Sequence, residues 1–250
     1  MERTRQQVGI YLRHYRLQIS QVIKKIKLAA SSCELCDGQC EHFSRLCHHC
    51  FNDLPIFSLD IVQGNLLNWP AINKALPKYQ FDKLFCLAPY LWPFDLWITQ
   101  LKYHSRFELA PLLAQLLVEH WLLALEKNLV RQVEAIIAVP IHITRWQERG
   151  FNQSHLLAKK IAMSLELPYL STALIRNKAT EQQVGKTGGQ RRKSLKNAFK
   201  LSPNQASLPK HIMLIDDVIT TGSTANEITQ LLKKNGVQTV TLMTVCLTLP

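Results

Sequence analysis

No run of about 18 consecutive apolar residues, the length needed to span a bilayer as a helix, occurs in these 250 residues. The opening segment, Met1 to Lys27, lacks the continuous apolar core of a secretion signal and is interrupted throughout by Arg, Gln, Lys and Tyr. There is no nucleotide-binding P-loop either. Gly185-Lys186-Thr187 has Thr180 where a glycine would be required, and no apolar strand precedes it. Acidic residues are few beside basic ones, 18 against 30, which leaves a formal charge of +12 and favours polyanionic partners such as nucleic acid or phosphorylated metabolites. A cytoplasmic protein is expected. In that reducing compartment, clustered thiols bind metal more often than they pair.

Against these absences stands one dense stretch, Ile212-Met-Leu-Ile-Asp-Asp-Val-Ile-Thr-Thr-Gly-Ser-Thr224. Four apolar residues suit a strand buried on both faces of a parallel sheet. Asp216 and Asp217 follow at its end, then small hydroxyl residues and a glycine, then a helix from Ala225 to Lys234. Loop amides and a helix N-terminus bind phosphate, and paired carboxylates accept hydrogen bonds from vicinal ribose hydroxyls. The simpler reading is a strand-to-helix turn with Ser223 or Thr224 as N-cap. It accounts for one hydroxyl but not for the threonines, glycine and paired acids together.

Five of the seven cysteines lie between Cys33 and Cys50. Cys33-x2-Cys36 and Cys47-x2-Cys50 supply the four soft ligands of a structural zinc site. Cys40, His42, His48 and His49 are spare candidates for the fourth ligand, and disulfides are the competing reading. Cys86 and Cys246 stand in apolar runs and read as core residues.

Met1 to Lys27 reads as a basic amphipathic helix, and Asp53 to Pro77, with its prolines, as an irregular connector. Lys83–Tyr90 and Ala135–Val139 read as strands, and Phe94–Tyr103, Leu109–Leu125 and Asn152–Leu165 as helices. His120, on the apolar stripe of the second helix, reads as a tucked-in core residue. Gly236 is a helix C-cap signal, followed by a strand from Val237 to Leu247. Strands alternating with helices imply an α/β fold with a largely parallel sheet. The expected organisation is a basic helix over 1–30, a zinc module over 31–55, a connector over 56–80 and an α/β domain over 81–250.

After the second strand, Arg145 to Ser154 carries two arginines, a glycine and a helix start, a natural pyrophosphate clamp with Arg149 and the amides after Gly150 as its donors. A solvated turn whose arginines pair with Glu148 is the alternative. Asn177 to Lys200, rich in Gly, Gln, Lys and Arg, reads as a mobile loop suited to closing over a phosphorylated sugar or to tracking single-stranded nucleic acid. No segment spells out an acceptor pocket.

The acidic loop resembles the phosphoribosyl pyrophosphate loop of type I phosphoribosyltransferases. The wider order is two Cys-x-x-Cys pairs, Leu101-Lys102-Tyr103, Val139-Pro140, Arg149-Gly150-Phe151-Asn152-Gln153, Gln183, Arg191, Ala198-Phe199 and the acidic loop. That order is similar to the ComF family of competence proteins, also labelled GntX. The resemblance implies a type I phosphoribosyltransferase-like domain with a zinc-binding N-terminal region, acting in uptake of transforming single-stranded DNA beside a translocase and a membrane channel. It implies magnesium with phosphoribosyl pyrophosphate as ligand. Asp216 and Asp217 would hold the ribose hydroxyls, and Thr220, Thr221, Gly222, Ser223 and Thr224 the 5′-phosphate. Arg149, Lys102 and Arg191 would face the pyrophosphate. Relatives often carry a further cysteine pair that Leu54–Asp82 lacks, so one zinc is expected. Ser194 stands where relatives often have Asn. Two other functions fit the same loop: an active transferase placing a nitrogen nucleophile on ribose C1, and a metabolic or salvage protein unconnected with DNA.

Overall fold

The computed structural model describes residues 32–40, 45–76, 79–177, 197–203, 205 and 207–248. The expected N-terminal helix, Gln183, Arg191, Ser194 and most of the basic glycine-rich loop lie outside them. The chain divides into two compact units that part between Leu54 and Pro55.

In the larger unit, β1 (Lys83–Pro89), β2 (Ala135–Ala138), β5 (His211–Ile219) and β6 (Thr239–Leu247) form one sheet of order β1-β6-β5-β2, all parallel. A separate antiparallel pair joins β3 (Leu174–Arg176) to β4 (Phe199–Leu201). The central strands are apolar without alternation, as burial on both faces demands. Ile212 to Ile215 and Leu242, Met243, Val245 and Cys246 are all at most 1% exposed. Cys86 is fully buried too, as its apolar run suggested.

Alternate residues of the strands separate the two faces. Leu84, Cys86, Ile212, Leu214, Val240 and Leu242 pack with Ile228 and Leu232 of helix α8 (Ser223–Lys234). On the other face, Phe85 meets the Trp121 ring of α5 (Leu109–Glu126) edge-on, with centroids 4.9 Å apart. Helix α7 (Gln153–Leu165) packs beside α5 and against β2 and β5.

The stretch read as an irregular connector is instead partly helical. It holds α2 (Leu59–Val62), a 3₁₀ turn (Leu66–Asn68) and α3 (Pro70–Ala75), after α1 (His48–Asn52) of the smaller unit. Its prolines mislead because Pro70 stands at N1, where no amide is needed. Phe57, Leu66, Ile72 and Leu76 belong to the same buried cluster as the sheet, and each contributes roughly 2 kcal/mol by leaving water. Asn65 fixes the segment to β1 by accepting the Leu84 amide at 3.0 Å.

Helix α5 is long and apolar enough to cross a membrane by length and composition, but its Leu109, Leu113, Leu117 and Ala124 are wholly buried in the protein. Near its end Leu122 and Leu123 are exposed, and Trp121 and Ala124 take the inward places. His120 lies half-buried against Phe85, and burial lowers it to about 4.

Both outer strands are partly covered by backbone. The Phe57 amide donates to Leu87 O at 2.9 Å on β1. On β2, Ile136 exchanges bonds with Pro168 O and the Leu170 amide, both at 2.9 Å.

Candidate functional site

β5 runs out at Ile219, and the chain turns through Thr220 and Thr221 to Gly222, which caps α8 from the left-handed region at φ +67. Neither Ser223 nor Thr224 is the N-cap, and no side chain caps this helix. The first amides of a 12-residue helix therefore keep their positive end for something else. Thr221 Oγ1 and Ser223 Oγ lie 2.9 Å apart at the mouth of the turn. A glycine suits Gly222 because only it adopts this φ without strain.

The two carboxylates stand side by side at the end of the same strand, but their settings differ. Asp216 is half-buried and accepts Ser154 Oγ at 2.9 Å and the Asp217 amide at 3.0 Å, both on Oδ1. Burial, and then the neighbouring charge of Asp217, push its carboxyl up to about 7. Asp217 is buried and its Oδ2 lies 2.9 Å from Lys102 Nζ, at the end of helix α4 (Phe94–Tyr103). Burial pulls the Lys102 ammonium down, but the Asp217 carboxylate outweighs it and the net direction is up.

The Arg-Gly-Phe-Asn-Gln segment is a buckle between elements. Arg149 ends α6 (Ile143–Arg149), and Gly150 closes that helix by donating to Trp146 O at 2.7 Å. Phe151 packs edge-on against Phe107. Asn152 caps α7 by accepting the Ser154 amide at 3.1 Å and donates to Val139 O at 3.0 Å, tying the turn to the strand end. The amides after Gly150 are thus partly spent on the cap rather than left open.

Arg149 donates to the Tyr103 hydroxyl at 3.2 Å and to Gln153 Oε1 at 3.3 Å, with its guanidinium 5.0 Å from the Tyr103 ring centroid. Its partners here are Tyr103 and Gln153, not the Glu148 of the alternative reading. Lys102 therefore reaches the acidic pair directly from α4, while Arg149 is held beside it on Tyr103 and Gln153. Ser154 and Gln153 were missed in the sequence. Both are buried polar residues in the first turn of an amphipathic helix, a placement that apolar spacing alone does not flag. The Gln153 Nε2 atom has no hydrogen-bond partner among the described residues.

Beside Asn152 opens a cavity of about 760 Å³, lined by Pro140, Ile143, Trp146, Leu174, Ile175 and Arg176 among others. No local motif announces it, because its walls come from α6, the strand end of β2 and the β3–β4 pair.

In the smaller unit, the sulfurs of Cys33, Cys36, Cys47 and Cys50 all lie within 4.8 Å of one another. Ligands 2.3 Å from a tetrahedral zinc stand about 3.8 Å apart, and Cys36 Sγ and Cys47 Sγ are at 3.7 Å. The Cys50 amide donates to Cys47 Sγ at 3.5 Å. Burial raises the Cys33 thiol, but backbone hydrogen bonds at Cys47, Leu35 and Cys36 more than offset it and bring it down to about 6. Burial and its sulfur neighbours push Cys50 up. Such a cluster ionises fully only around a cation. The donor set fits one soft metal ion; Cys40 is not one of the four grouped sulfurs but lies beside Cys33, within hydrogen-bond reach.

A family model described as the phosphoribosyl transferase domain matches residues 152–248. The chain is 35% identical over 209 residues to competence protein F of Haemophilus influenzae, covering 83% of this chain and 86% of that protein. It is 37% identical over 218 residues to the DNA utilization protein YhgH of Escherichia coli O157:H7, covering 87% and 90%. A more distant likeness, 26% over 141 residues, is to the amidophosphoribosyltransferase of Schizosaccharomyces pombe, of which it covers 23%. Over more than four-fifths of its length, then, this chain matches and belongs to the family of competence protein F and YhgH, with a phosphoribosyltransferase domain over residues 152–248.

Proposed function

We propose that the chain is a cytoplasmic bacterial DNA-uptake factor of natural transformation whose larger unit binds phosphoribosyl pyrophosphate. The observation that carries this is the uncapped start of α8 directly after two buried or half-buried carboxylates. Asp216 and Asp217 hold the ribose hydroxyls. Thr220, Thr221, Gly222, Ser223 and Thr224 surround the 5′-phosphate, where backbone amides and helix dipole are both favourable. Arg149 and Lys102 face the diphosphate, and Arg191, outside the described residues, is assigned to the same side. Magnesium, when bound with the diphosphate, neutralises part of its charge. Zinc is the ion that fits the four-cysteine site, in a structural role. The +12 charge supports contact with single-stranded DNA and with the uptake translocase machinery, and the family names competence and DNA utilization support the same setting.

Calorimetry with phosphoribosyl pyrophosphate and magnesium is expected to show saturable heat that Asp217→Ala removes. No heat from the wild type, or equal heat from the variant, overturns the ligand assignment. Transformation frequency in a deletion strain complemented with Asp216→Ala/Asp217→Ala then decides whether ligand binding matters to uptake.

The cavity favours a second reading, an active transferase. An acceptor lodged between Trp146 and Arg176 would sit beside Asn152, two residues from the Ser154 that holds Asp216. Departure of pyrophosphate from ribose C1 leaves an oxocarbenium-like carbon, and Arg149 and Lys102 would stabilise the leaving charge. Pyrophosphate release across a panel of bases and amines tests it.

A further inference from the structure

Asp217 is neutralised from within the chain. Lys102 Nζ lies 2.9 Å from Asp217 Oδ2, and the two side chains are only 19% and 11% exposed. The next residue, Tyr103, accepts from Arg149, which is held there rather than on Asp217. Asp216 Oδ1 is already shared by Ser154 Oγ and the Asp217 amide. A hard divalent cation needs several oxygen ligands. Here it would have to share Asp217 with an ammonium at hydrogen-bond distance, and like charges that close repel strongly in a water-poor setting. An ammonium on a flexible four-carbon stem differs from a metal in one respect: it can swing away without leaving the protein.

We propose that Lys102 is an exchangeable internal counter-ion, which holds Asp217 in the free protein and keeps divalent cations off the acidic pair. A diphosphate-bearing ligand, arriving with its own cation, draws the ammonium onto its anionic oxygens and frees Asp217. This second half rests on the ligand proposed above; the first half does not.

The test is titration of the full-length, zinc-loaded chain with Mn²⁺ alone, read by the EPR signal of the free ion. Wild type is expected to show no uptake attributable to the pair. Lys102→Met is expected to bind Mn²⁺ about tenfold more tightly or better, a factor worth ~1.4 kcal/mol, and Lys102→Met/Asp217→Asn to lose that gain. Lys102→Arg, which keeps the charge, should behave as wild type. Because Lys102→Met bares a buried carboxylate and can cost the fold, Lys102→Gln is titrated beside it with the same expectation. Equal Mn²⁺ binding by wild type and the neutral variants overturns the proposal. No sugar phosphate is present, so failure of the ligand assignment and failure of the counter-ion assignment give different results.

Discussion

Two anionic clusters sit in this chain, and they solve the same electrostatic problem in opposite ways. Around Cys33, Cys36, Cys47 and Cys50 four sulfurs crowd within 4.8 Å, and Arg45 of that unit is engaged with Glu34 at 3.0 Å. Around Asp216 and Asp217 the chain supplies its own cation and a hydroxyl donor, Lys102 and Ser154. On the proposed reading the first cluster takes its positive charge from a metal ion, whereas the second finds it on a helix of the same unit. A permanent metal site gains nothing from an internal cation, and a site that receives and releases a charged ligand gains a great deal.

The largest effect that would break this contrast is metal removal. Chelation is expected to unfold residues 32–54 and leave the larger unit folded, since in zinc peptides the metal supplies roughly 10 kcal/mol of folding energy. Limited proteolysis read by mass spectrometry should show new cuts confined to that segment, with one zinc released per chain. Protection that survives chelation would mean the cysteines are not held together by a metal.

A smaller effect sharpens the other side. Lys102→Met leaves Asp217 buried without its partner and should cost about 3 kcal/mol of stability. Thermal melts are expected to show a clear drop that Lys102→Arg largely avoids and that adding Asp217→Asn restores in part. Unchanged melting in Lys102→Met would mean that the pair carries no weight in the free protein.

Smaller still is a pH effect. Asp216 is pushed up from 3.8 to about 7 by burial and the Asp217 charge. Between those values the folded chain keeps a proton that the unfolded chain has released, so stability falls as pH rises through the window. Asp216→Asn should flatten the fall, a difference on the order of 2 kcal/mol across the range. Parallel melting curves for wild type and variant from pH 4 to 8 would contradict it.

How much of this was legible in the sequence follows from what each feature depends on. The strand of β5 and its acidic pair are local: apolar run, carboxylates, glycine and helix all lie within a few residues. The four candidate cysteine ligands are likewise picked out by their paired spacing, and the structure groups their sulfurs with Cys40 beside Cys33. What stayed hidden was assembled across distance. Ser154 meets Asp216 from 62 residues away; its segment stood out for its arginines, but nothing there pointed to this contact. The cavity draws its walls from segments on either side of a long insertion. The segment before β1 misled for a different reason. Its prolines and short helices look like a linker locally, yet Phe57, Leu66, Ile72 and Leu76 bury against a sheet the local pattern does not reveal.

The backbone hydrogen bonds that Phe57, Pro168 and Leu170 make to the outermost strands bear on how this molecule meets others. A companion that docks by extending the sheet needs a free row of amides and carbonyls. At Leu87 and Ile136 that row is already claimed by the chain itself. Along those stretches recognition falls to side chains, so the specificity of any assembly is written in replaceable residues rather than in the backbone.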